Sequence, residues 1–541
     1  MSSLAYHEPS ITTILKQSSF LLALNAVNHV LDSWIYAGLV GQILVGVAWG
    51  VPGGQILELP AQEVIVELGY IGLILLVFEG GLSTSFSALK ANFWLSTLVA
   101  ITGIVTPMGL SFVLSPMIGA SPLQAFAAGS ALCATSLGTT FTLLSTSGLS
   151  SSRLGVVLTS AAMMDDVVGL IMVQVISNLG ETSSFAAVTV IRPIFVSLGL
   201  AIVLPLMCRI VVLPLTKAIV RFREAKPASA LNRLLRRELT SVTLYTVTLV
   251  AIVAGATYAG SSALLGAYIA GAIISWWDAE APQPKPAAPT SPSTDTPSDD
   301  ETREMPNVTA TPGVQTTQFH EPYESHSGTA LFAKYFEPAL RRVFKPLFFA
   351  SVGFSIPITK MFSGSVVWRG LVYTVLMTLG KLACGLWLLR VPNLLSMPKQ
   401  FSRAIDRILH RKGAPNTTRS RKAHKRSSTP DKPVSVYPGL ILGSAMVARG
   451  EIGYLISSLA EAGGVFRPNS TKRTTANEKE PSEAFLVITW AITLCTIMGP
   501  VAMGLLVDRV RRLERQVVRD GQQMHRTNVL GSWGVSTTPA T

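Results

Sequence analysis

Residues 153–179 read RLGVVLTSAAMMDDVVGLIMVQVISNL, an apolar stretch with two adjacent carboxylates, Asp165 and Asp166, at its centre. About 20 apolar residues let a helix cross the ~30 Å hydrocarbon core of a bilayer. Apolar stretches of similar length recur along most of the chain. The sequence therefore predicts an all-α polytopic membrane protein.

The composition supports the same class. Of 541 residues, 49% are hydrophobic and 14% are charged, whereas roughly a quarter are charged in soluble domains. The composition therefore argues against a soluble enzyme. The chain has 44 Lys and Arg against 31 Asp and Glu, but the basic residues are concentrated between apolar stretches. This pattern predicts cytoplasmic loops beside anionic membrane lipid, not nucleic-acid binding.

No motif for covalent or metal chemistry is visible. The cysteines lie inside apolar stretches without CxxC spacing, so neither a disulfide framework nor a zinc site is predicted. There is no Ser/His/Asp set, metal-ligand spacing or phosphate loop, so we predict neither enzymatic activity nor a cofactor. The four cysteines are Cys133, Cys208, Cys384 and Cys495.

Apolar runs interrupted by charge, Gly and Pro predict about thirteen membrane helices. They are expected at residues 15–31, 34–52, 61–82, 93–119, 122–148, 153–179, 192–216, 239–260, 261–277, 336–358, 366–389, 438–460 and 483–507.

The basic segments set the orientation. Segments 217–238 and 391–436 and the tail after residue 508 are separated by even numbers of predicted helices, so all three fall on one side, the cytoplasmic side by the positive-inside rule. The N-terminus is then outside or lumenal and the C-terminus cytoplasmic, in a plasma membrane or an endomembrane. The outside loop 461–482 carries a glycosylation sequon at Asn469.

Two polar linkers divide the chain. The acidic Pro/Ser/Thr-rich composition of the first cannot bury enough apolar surface to fold, so we predict disorder. Three alternatives are open for these linkers: they are solvated loops, they dock on lipid, or they contact each other. The predicted regions are an N-terminal transmembrane half with helices one to nine (1–277, including core helices in 93–179), the acidic linker (278–335), helices ten and eleven (336–390), a basic cytoplasmic linker (391–436), helices twelve and thirteen (437–507) and a cytoplasmic tail (508–541).

The adjacent acids are the main functional candidates. A charge at the bilayer centre costs at least ~2.5 kcal/mol, so each acid needs a partner, water or a function. Neighbours on a helix point about 100° apart, so one can face a wet cavity while the other faces a packed helix. Two close carboxylates in a low dielectric do not both ionise easily without a cation. Asp165 and Asp166 thus predict a site that holds a proton or a cation, but not both. The alternative is a pair that only fixes helix packing.

A lysine lies in the eleventh predicted helix. Lys381 is far from both ends of the apolar stretch 366–389, so it is the natural counter-ion for Asp165 or Asp166. The alternative is a side chain that snorkels to an interface.

Two helices carry signs of interruption. Residues 131–141, ALCATSLGTTF, contain Thr135 and Ser136 among small residues, and the freed carbonyls of a broken helix would coordinate a monovalent cation. Small-residue helix packing is the alternative. Arg449 and Glu451 lie beside Gly450 in the twelfth predicted helix, two positions apart, so they are expected to pair with other elements or with helix ends.

Glu79 lies near the predicted cytoplasmic end of the third helix, in the segment FEGGL at 78–82. We expect a structural or gating role there in preference to ion binding. Arg449 and Glu451 are assigned the same kind of role.

In this order, these features resemble the monovalent cation/proton antiporter superfamily, in the branch of bacterial-type Na⁺/H⁺ antiporters and Kef-type K⁺/H⁺ exchangers. The resemblance covers roughly residues 35–507. It is carried by the stretch VGQILVG (40–46), FEGGL (78–82), Asp165-Asp166, Lys381 after a glycine, and Arg449-Gly450-Glu451.

The resemblance implies a fold of inverted repeats with two crossing discontinuous helices, a six-helix core, a dimerisation domain and a homodimer. By position, Asp166 would bind the monovalent cation and the proton, and Asp165 would pair with Lys381. A double Asp implies electrogenic exchange. The family commonly has an Asp near Thr135 and Ser136, which this sequence lacks, so Na⁺ and K⁺ both stay open.

The predicted function is secondary active antiport of Na⁺ or K⁺ against H⁺ by alternating access, with both ions competing for the Asp pair. A gated cation channel, a sodium-coupled organic-anion transporter and a non-transporting membrane scaffold or sensor are the alternatives.

Overall fold

The computed structural model describes residues 8–35, 38–84, 89–90, 92–136, 140, 144, 147–150, 152–181, 187–225, 237–280, 327–389, 435–467, 481–519 and 529–534. The regular structure in these ranges is all helical, as the sequence predicts. The sequon at Asn469 and most of the two predicted linkers lie outside the described residues.

The helices of the first half are α1 (Ile11–Ile35), α2 (Gly38–Trp49), α3 (Leu59–Leu82), α4 (Phe93–Leu110), α5 (Leu114–Ile118), α6 (Pro122–Cys133), α7 (Arg153–Glu181), α8 (Ala187–Met207), α9 (Leu213–Ala225), α10 (Glu238–Tyr258) and α11 (Ala263–Glu280).

The helices of the second half are α12 (Gly328–Tyr335), α13 (Glu337–Ala339), α14 (Lys345–Phe354), α15 (Ile358–Met361), α16 (Gly364–Leu382), α17 (Tyr437–Val447), α18 (Glu451–Ala462) and α19 (Glu483–Arg519). Short 3₁₀ turns follow α4 and α16, at Ser111–Val113 and Ala383–Leu388, and another lies in the C-terminal segment, at Gly531–Trp533.

The chain is a multi-pass membrane protein. Eight helical segments in the described part are long and apolar enough to cross a bilayer. The predicted number of about thirteen is not confirmed by this criterion, because several predicted spans are short or broken. Helices α2 and α6, for example, have only 12 residues each.

Two helices widen into π turns, at Cys208–Val212 and Leu340–Phe344. Each turn is followed within two residues by a proline, Pro214 and Pro346. Proline has no N–H, and its ring clashes with the carbonyl four residues earlier, which lies inside the π turn in both cases. The local sequence thus accounts for both irregularities.

The helices pack as two groups. In the first, α3 packs against α11 and α14, α2 packs against α1 and α14, and α10 packs against α11. In the second, α4, α6 and α7 pack with one another and with α16 to α19. Helix α8 contacts α7 of the second group and α11 of the first.

Small residues allow the closest helix approaches. Where α11 crosses α3, a Cβ on Gly271 would lie 2.7 Å from the backbone nitrogen of Leu82. Such contacts suit membrane helices, whose association relies on close packing because lipid offers no hydrophobic driving force.

Several predicted boundaries were wrong. The seventh and thirteenth helices, expected to end at residues 216 and 507, continue to Ala225 and Arg519. The extensions are amphipathic and charged, so a search for apolar runs stops where the helix leaves the hydrocarbon region. The first helix similarly extends from Ile11 to Ile35.

The ends of the predicted disordered acidic linker are ordered, which corrects that expectation for residues 278–280 and 328–335. Asp278, in α11, accepts a 2.5 Å hydrogen bond from the backbone N–H of Gly328 and a 3.3 Å bond from the Tyr245 hydroxyl. Ser327 caps α12 by accepting from the N–H of Ala330. These contacts fix the point at which the chain returns to the helical bundle.

Part of the predicted tail also packs on the bundle. Trp533 is only 4% exposed, and the guanidinium of Arg153, at the start of α7, lies 4.7 Å from its ring centroid. The Ser435 hydroxyl donates a 2.5 Å hydrogen bond to the carbonyl of Val529. Residues 529–534 are therefore part of the folded unit.

Candidate functional site

Two interrupted helices form the centre of the second group. Helix α6 ends at Cys133, and residues 134–136 are not helical. Helix α17 ends at Val447, and α18 begins only at Glu451. Both breaks lie where the small and charged residues of the sequence predict interruption.

The two breaks contact each other directly. The backbone N–H of Ser136 donates to the carbonyl of Ala448 over 2.9 Å. Nη1 of Arg449, which is fully buried, donates to the carbonyl of Ala134 over 2.8 Å. A Cβ on Gly450 would lie 2.7 Å from Oγ of Ser136. The hydrogen bonds satisfy backbone groups freed by the breaks, and glycine permits this approach.

Asp165 and Lys381 form a fully buried ion pair. Nζ of Lys381 is 2.6 Å from Oδ2 of Asp165, and both side chains are 0% exposed. The ammonium also donates to the carbonyl of Cys133 over 2.6 Å and to the hydroxyl of Thr135 over 3.0 Å. The Thr135 hydroxyl donates to Oδ2 of Asp165 over 2.9 Å. All three ammonium protons therefore have acceptors, as a buried cation requires.

Gly103, on α4, provides the space for this pair. A Cβ at this position would lie 3.1 Å from Nζ of Lys381 and 3.3 Å from Oδ2 of Asp165. A larger residue would push on both charged atoms.

Asp166 has a different environment from its neighbour. It is 8% exposed and borders a cavity of about 310 Å³, which is also lined by Ser136, Leu170, Tyr268 and Glu451. Among the described residues, its carboxylate has no hydrogen-bond or ion-pair partner. One acid of the pair is thus neutralised inside the protein, and the other faces space that water and ions can enter.

The cavity lies between the two helical groups and has charged residues toward its opening. Glu79, Arg341 and Lys345 line it together with Asp166. Nη2 of Arg341 is 3.8 Å from Oε1 of Glu79, and its Nε is 2.5 Å from Oε1 of Glu337. The Arg341 side chain is 65% exposed and that of Glu79 is 30% exposed, so these charged side chains lie at the opening of the cavity.

The charges near the crossing do not balance. Asp165, Asp166 and Glu451 are acidic, whereas Lys381 and Arg449 are basic. When all five ionise, this group of residues at the helix crossing carries one excess negative charge, which one proton or one monovalent cation neutralises. The helix ends fit this arrangement, because Lys381 binds the C-terminal end of α6 and Glu451 lies in the first turn of α18.

The structure brings most of the sequence candidates together. Lys381 contacts Asp165, the partner that the family resemblance implies. The two hydroxyl candidates lie in different places. Thr135 bonds to this ion pair, whereas Ser136 lines the cavity. The roles of these residues in ion binding stay predictions.

Sequence reasoning missed several residues of the site. Gly103, Tyr268 and Lys345 come from three other helices, and none carries a local motif that marks it. For Lys345, the sequence offered one weak signal, a charged residue directly before the apolar run that begins at Pro346.

The comparisons with known proteins find similarity to cation/proton antiporters. Residues 21–286 match the family described as sodium/hydrogen exchanger, transmembrane. The high-affinity Na⁺/H⁺ antiporter NhaS3 of Synechocystis is 33% identical over 166 residues, which are 30% of this chain and 36% of that protein. The Na⁺/H⁺-K⁺ antiporter GerN of Bacillus cereus is 31% identical over 135 residues, 25% of this chain and 34% of that protein.

These matches span less than half the length of either relative.

A solved structure of the sodium proton antiporter MjNhaP1 from Methanocaldococcus jannaschii has a TM-score of 0.55 with this chain at 14% identity. The superposition covers 92% of this chain and 99% of that one, which shows a shared fold. The relatives are transporters and not enzymes. Together, these matches show similarity to Na⁺/H⁺ antiporters in the first half of the chain and a shared fold over most of it.

Proposed function

We propose that the chain is a secondary active antiporter that exchanges Na⁺ or K⁺ for H⁺ by alternating access. The observation that carries this proposal is the difference between the two acids. Asp165 is held by Lys381 in a dry interior, whereas Asp166 faces a cavity without a partner among the described residues.

Asp166 is the carboxylate for which the two ions compete. When it binds a proton, the excess negative charge of the cluster disappears and the cation loses its attraction. When a cation binds, protonation is opposed by the same charge balance. Ser136 and Glu451 line the same cavity, and both residue types carry oxygen ligands of the kind that hard cations prefer.

Alternating access arises from movement of the second helical group relative to the first. Asp165, Asp166, Lys381 and the two helix breaks all belong to the second group and move as one unit. Glu79, Arg341 and Lys345 belong to the other wall of the cavity. A shift between the walls closes this opening and exposes Asp166 on the opposite side, as in inverted-repeat transporters.

The cavity in this conformation opens toward the cytoplasm. This orientation follows from the basic segments of the sequence, which place the end of α3, with Glu79, on the cytoplasmic side. We also propose that the chain works as a homodimer, on the basis of its family resemblance, with Arg449, Glu451 and Glu79 in structural or gating roles.

Ion exchange by purified protein in vesicles tests this proposal. A pH-sensitive dye inside the vesicles reports proton movement after addition of Na⁺, K⁺, Li⁺ or Rb⁺. The wild type should move protons in response to Na⁺ or K⁺, and Asp166→Asn should not. Asp508→Asn, at an exposed acid on α19, is the matched control and should retain exchange.

The outcomes separate the alternatives. Undiminished exchange by Asp166→Asn would overturn the role of this residue. Cation flux without proton counterflow would indicate a channel. Proton movement that requires an added organic anion would indicate symport.

A further inference from the structure

The cavity at Asp166 is called the ion cavity below. A second, larger cavity lies beside it. It has a volume of about 580 Å³ and is bounded by α7, α8, α11 and the π turn after α8. This volume falls within the roughly 300–1,000 Å³ of pockets that hold small-molecule ligands. Tyr268 lines both cavities, so the two are neighbours within the bundle.

The wall of this cavity is almost entirely apolar. Six of its side chains are Met163, Met164, Val167, Leu265, Ile269 and Ile273. Helix α8, which forms the outer wall, turns large apolar side chains outward, with Ile202 59% and Leu206 53% exposed. Since α8 belongs to a membrane span, these side chains face lipid and the cavity borders the hydrocarbon region.

One cation borders this apolar space. Arg209 lines the cavity and lies within the apolar helical segment Val188–Phe222. Its side chain is exposed, and it has no ion-pair or hydrogen-bond partner among the residues that the structure describes. An unpaired charge at membrane depth is costly and marks a functional contact.

The backbone is irregular at the same place. The π turn begins at Cys208, which lines the cavity together with Arg209. Such π turns occur frequently at functional sites. Here the wider turn, which Pro214 accounts for, sets the direction of Arg209 relative to the cavity.

We infer that this cavity binds an anionic phospholipid from the surrounding leaflet. The apolar walls accept an acyl chain, and Arg209 binds the phosphate by charge-assisted hydrogen bonds. A water-soluble anion fits less well, because Arg209 is the only charged side chain among the described residues that line the cavity.

The bound lipid would act on the ion site through α7. Met163, Met164 and Val167 touch the lipid cavity, while Asp166 between them faces the ion cavity. A lipid that fits this position of α7 better than another favours this conformation of the protein, because a ligand shifts an equilibrium according to its differential affinity. Lipid binding itself does not depend on the proposed antiport.

The test measures lipid retention and not transport. The full chain is reconstituted in nanodiscs of phosphatidylcholine that contain a minor fraction of phosphatidylglycerol, re-extracted in mild detergent, and its bound lipids are quantified by mass spectrometry. Arg209→Gln should lower phosphatidylglycerol retention about fivefold, the factor that one surface arginine contributes to binding anionic lipid. Arg192→Gln, at an exposed arginine of α8 that does not line the cavity, should leave retention unchanged.

Two further variants separate charge from space. Arg209→Lys keeps the charge and should retain most of the bound lipid. Ala201→Trp fills the cavity from α8 and should reduce retention, whereas Val203→Trp, on the same helix but outside the cavity, should not. A folded protein is verified in each case by its elution profile in size-exclusion chromatography.

Equal retention by Arg209→Gln and Arg192→Gln would overturn the inference. A change of oligomeric state in Arg209→Gln would also overturn it, in favour of a contact between two copies. Retention of free fatty acid in place of phosphatidylglycerol would show that the ligand is not a phospholipid.

Discussion

Removal of Lys381 should destabilise the protein strongly. In Lys381→Met, Asp165 would keep only the Thr135 hydroxyl as a partner, and its Oδ1 already has none among the described residues. Both members of the ion pair are fully buried, so solvent cannot replace the lost charge. Breaking a buried pair on one side typically costs about 3–5 kcal/mol, and we expect a decrease of this size in the free energy of unfolding.

Unfolding of the purified protein in detergent micelles, by titration with a denaturing detergent, measures this free energy. Lys217→Met, at an exposed lysine of α9, is the control and should change it by less than about 0.5 kcal/mol. The cost of Lys381→Met should shrink as the pH falls, because a protonated Asp165 is neutral and no longer an unpaired charge.

The double variant Asp165→Asn/Lys381→Met completes the thermodynamic cycle. Because neither charge remains, it should recover most of the stability that Lys381→Met loses. A cost below about 1 kcal/mol for Lys381→Met, or no recovery in the double variant, would refute the reasoning that the buried pair is what fixes Asp165.

Three other substitutions test the crowding at Gly103, the charge at the cavity opening and the anchoring of the C-terminal segment. Gly103→Ala should destabilise the protein by about 1–3 kcal/mol in the same unfolding assay, because its Cβ meets Lys381 and Asp165. The control Gly109→Ala, on the same helix with open space around it, should leave the free energy of unfolding unchanged or raise it. Equal effects of the two substitutions would argue against crowding at Gly103. Arg341→Gln removes a positive charge from the opening of the ion cavity, so the KM for the cation should fall at low ionic strength and approach that of the wild type at high salt; an effect insensitive to salt would exclude an electrostatic origin. Trp533→Ala should release segment 529–534 from Arg153, which faster cleavage of the tail in limited proteolysis would reveal, whereas unchanged cleavage would show that the ring does not hold the segment.

Much of the fold could be predicted because lipid imposes simple rules on sequence. Apolar length located the spans, and the cluster of small residues around Thr135 located the break in α6. The extensions of α9 and α19 could not be found in this way, because they are amphipathic and lie beyond the apolar runs. The order at Asp278 and Gly328 was missed because it depends on one hydrogen bond across 50 residues.

The candidate site was predictable in its charged residues and not in its geometry. Buried charges are rare, so Asp165, Asp166, Lys381 and Arg449 were visible in the sequence. Spacing alone left open which aspartate pairs with Lys381, since both lie at the same depth. The choice depends on the orientation of α7 against α4 and α16, and on the space that Gly103 leaves beside the pair, which no single segment encodes.

Proton release on cation binding tests the central claim most directly. Purified protein in weakly buffered detergent solution is mixed with NaCl or KCl near neutral pH, and a pH indicator measures the protons released per chain. We predict release of about one proton by the wild type, because the cation and the proton compete for one carboxylate, and none by Asp166→Asn. Absence of release from the wild type with every monovalent cation, or equal release from Asp166→Asn, would contradict the claim that Asp166 holds either ion.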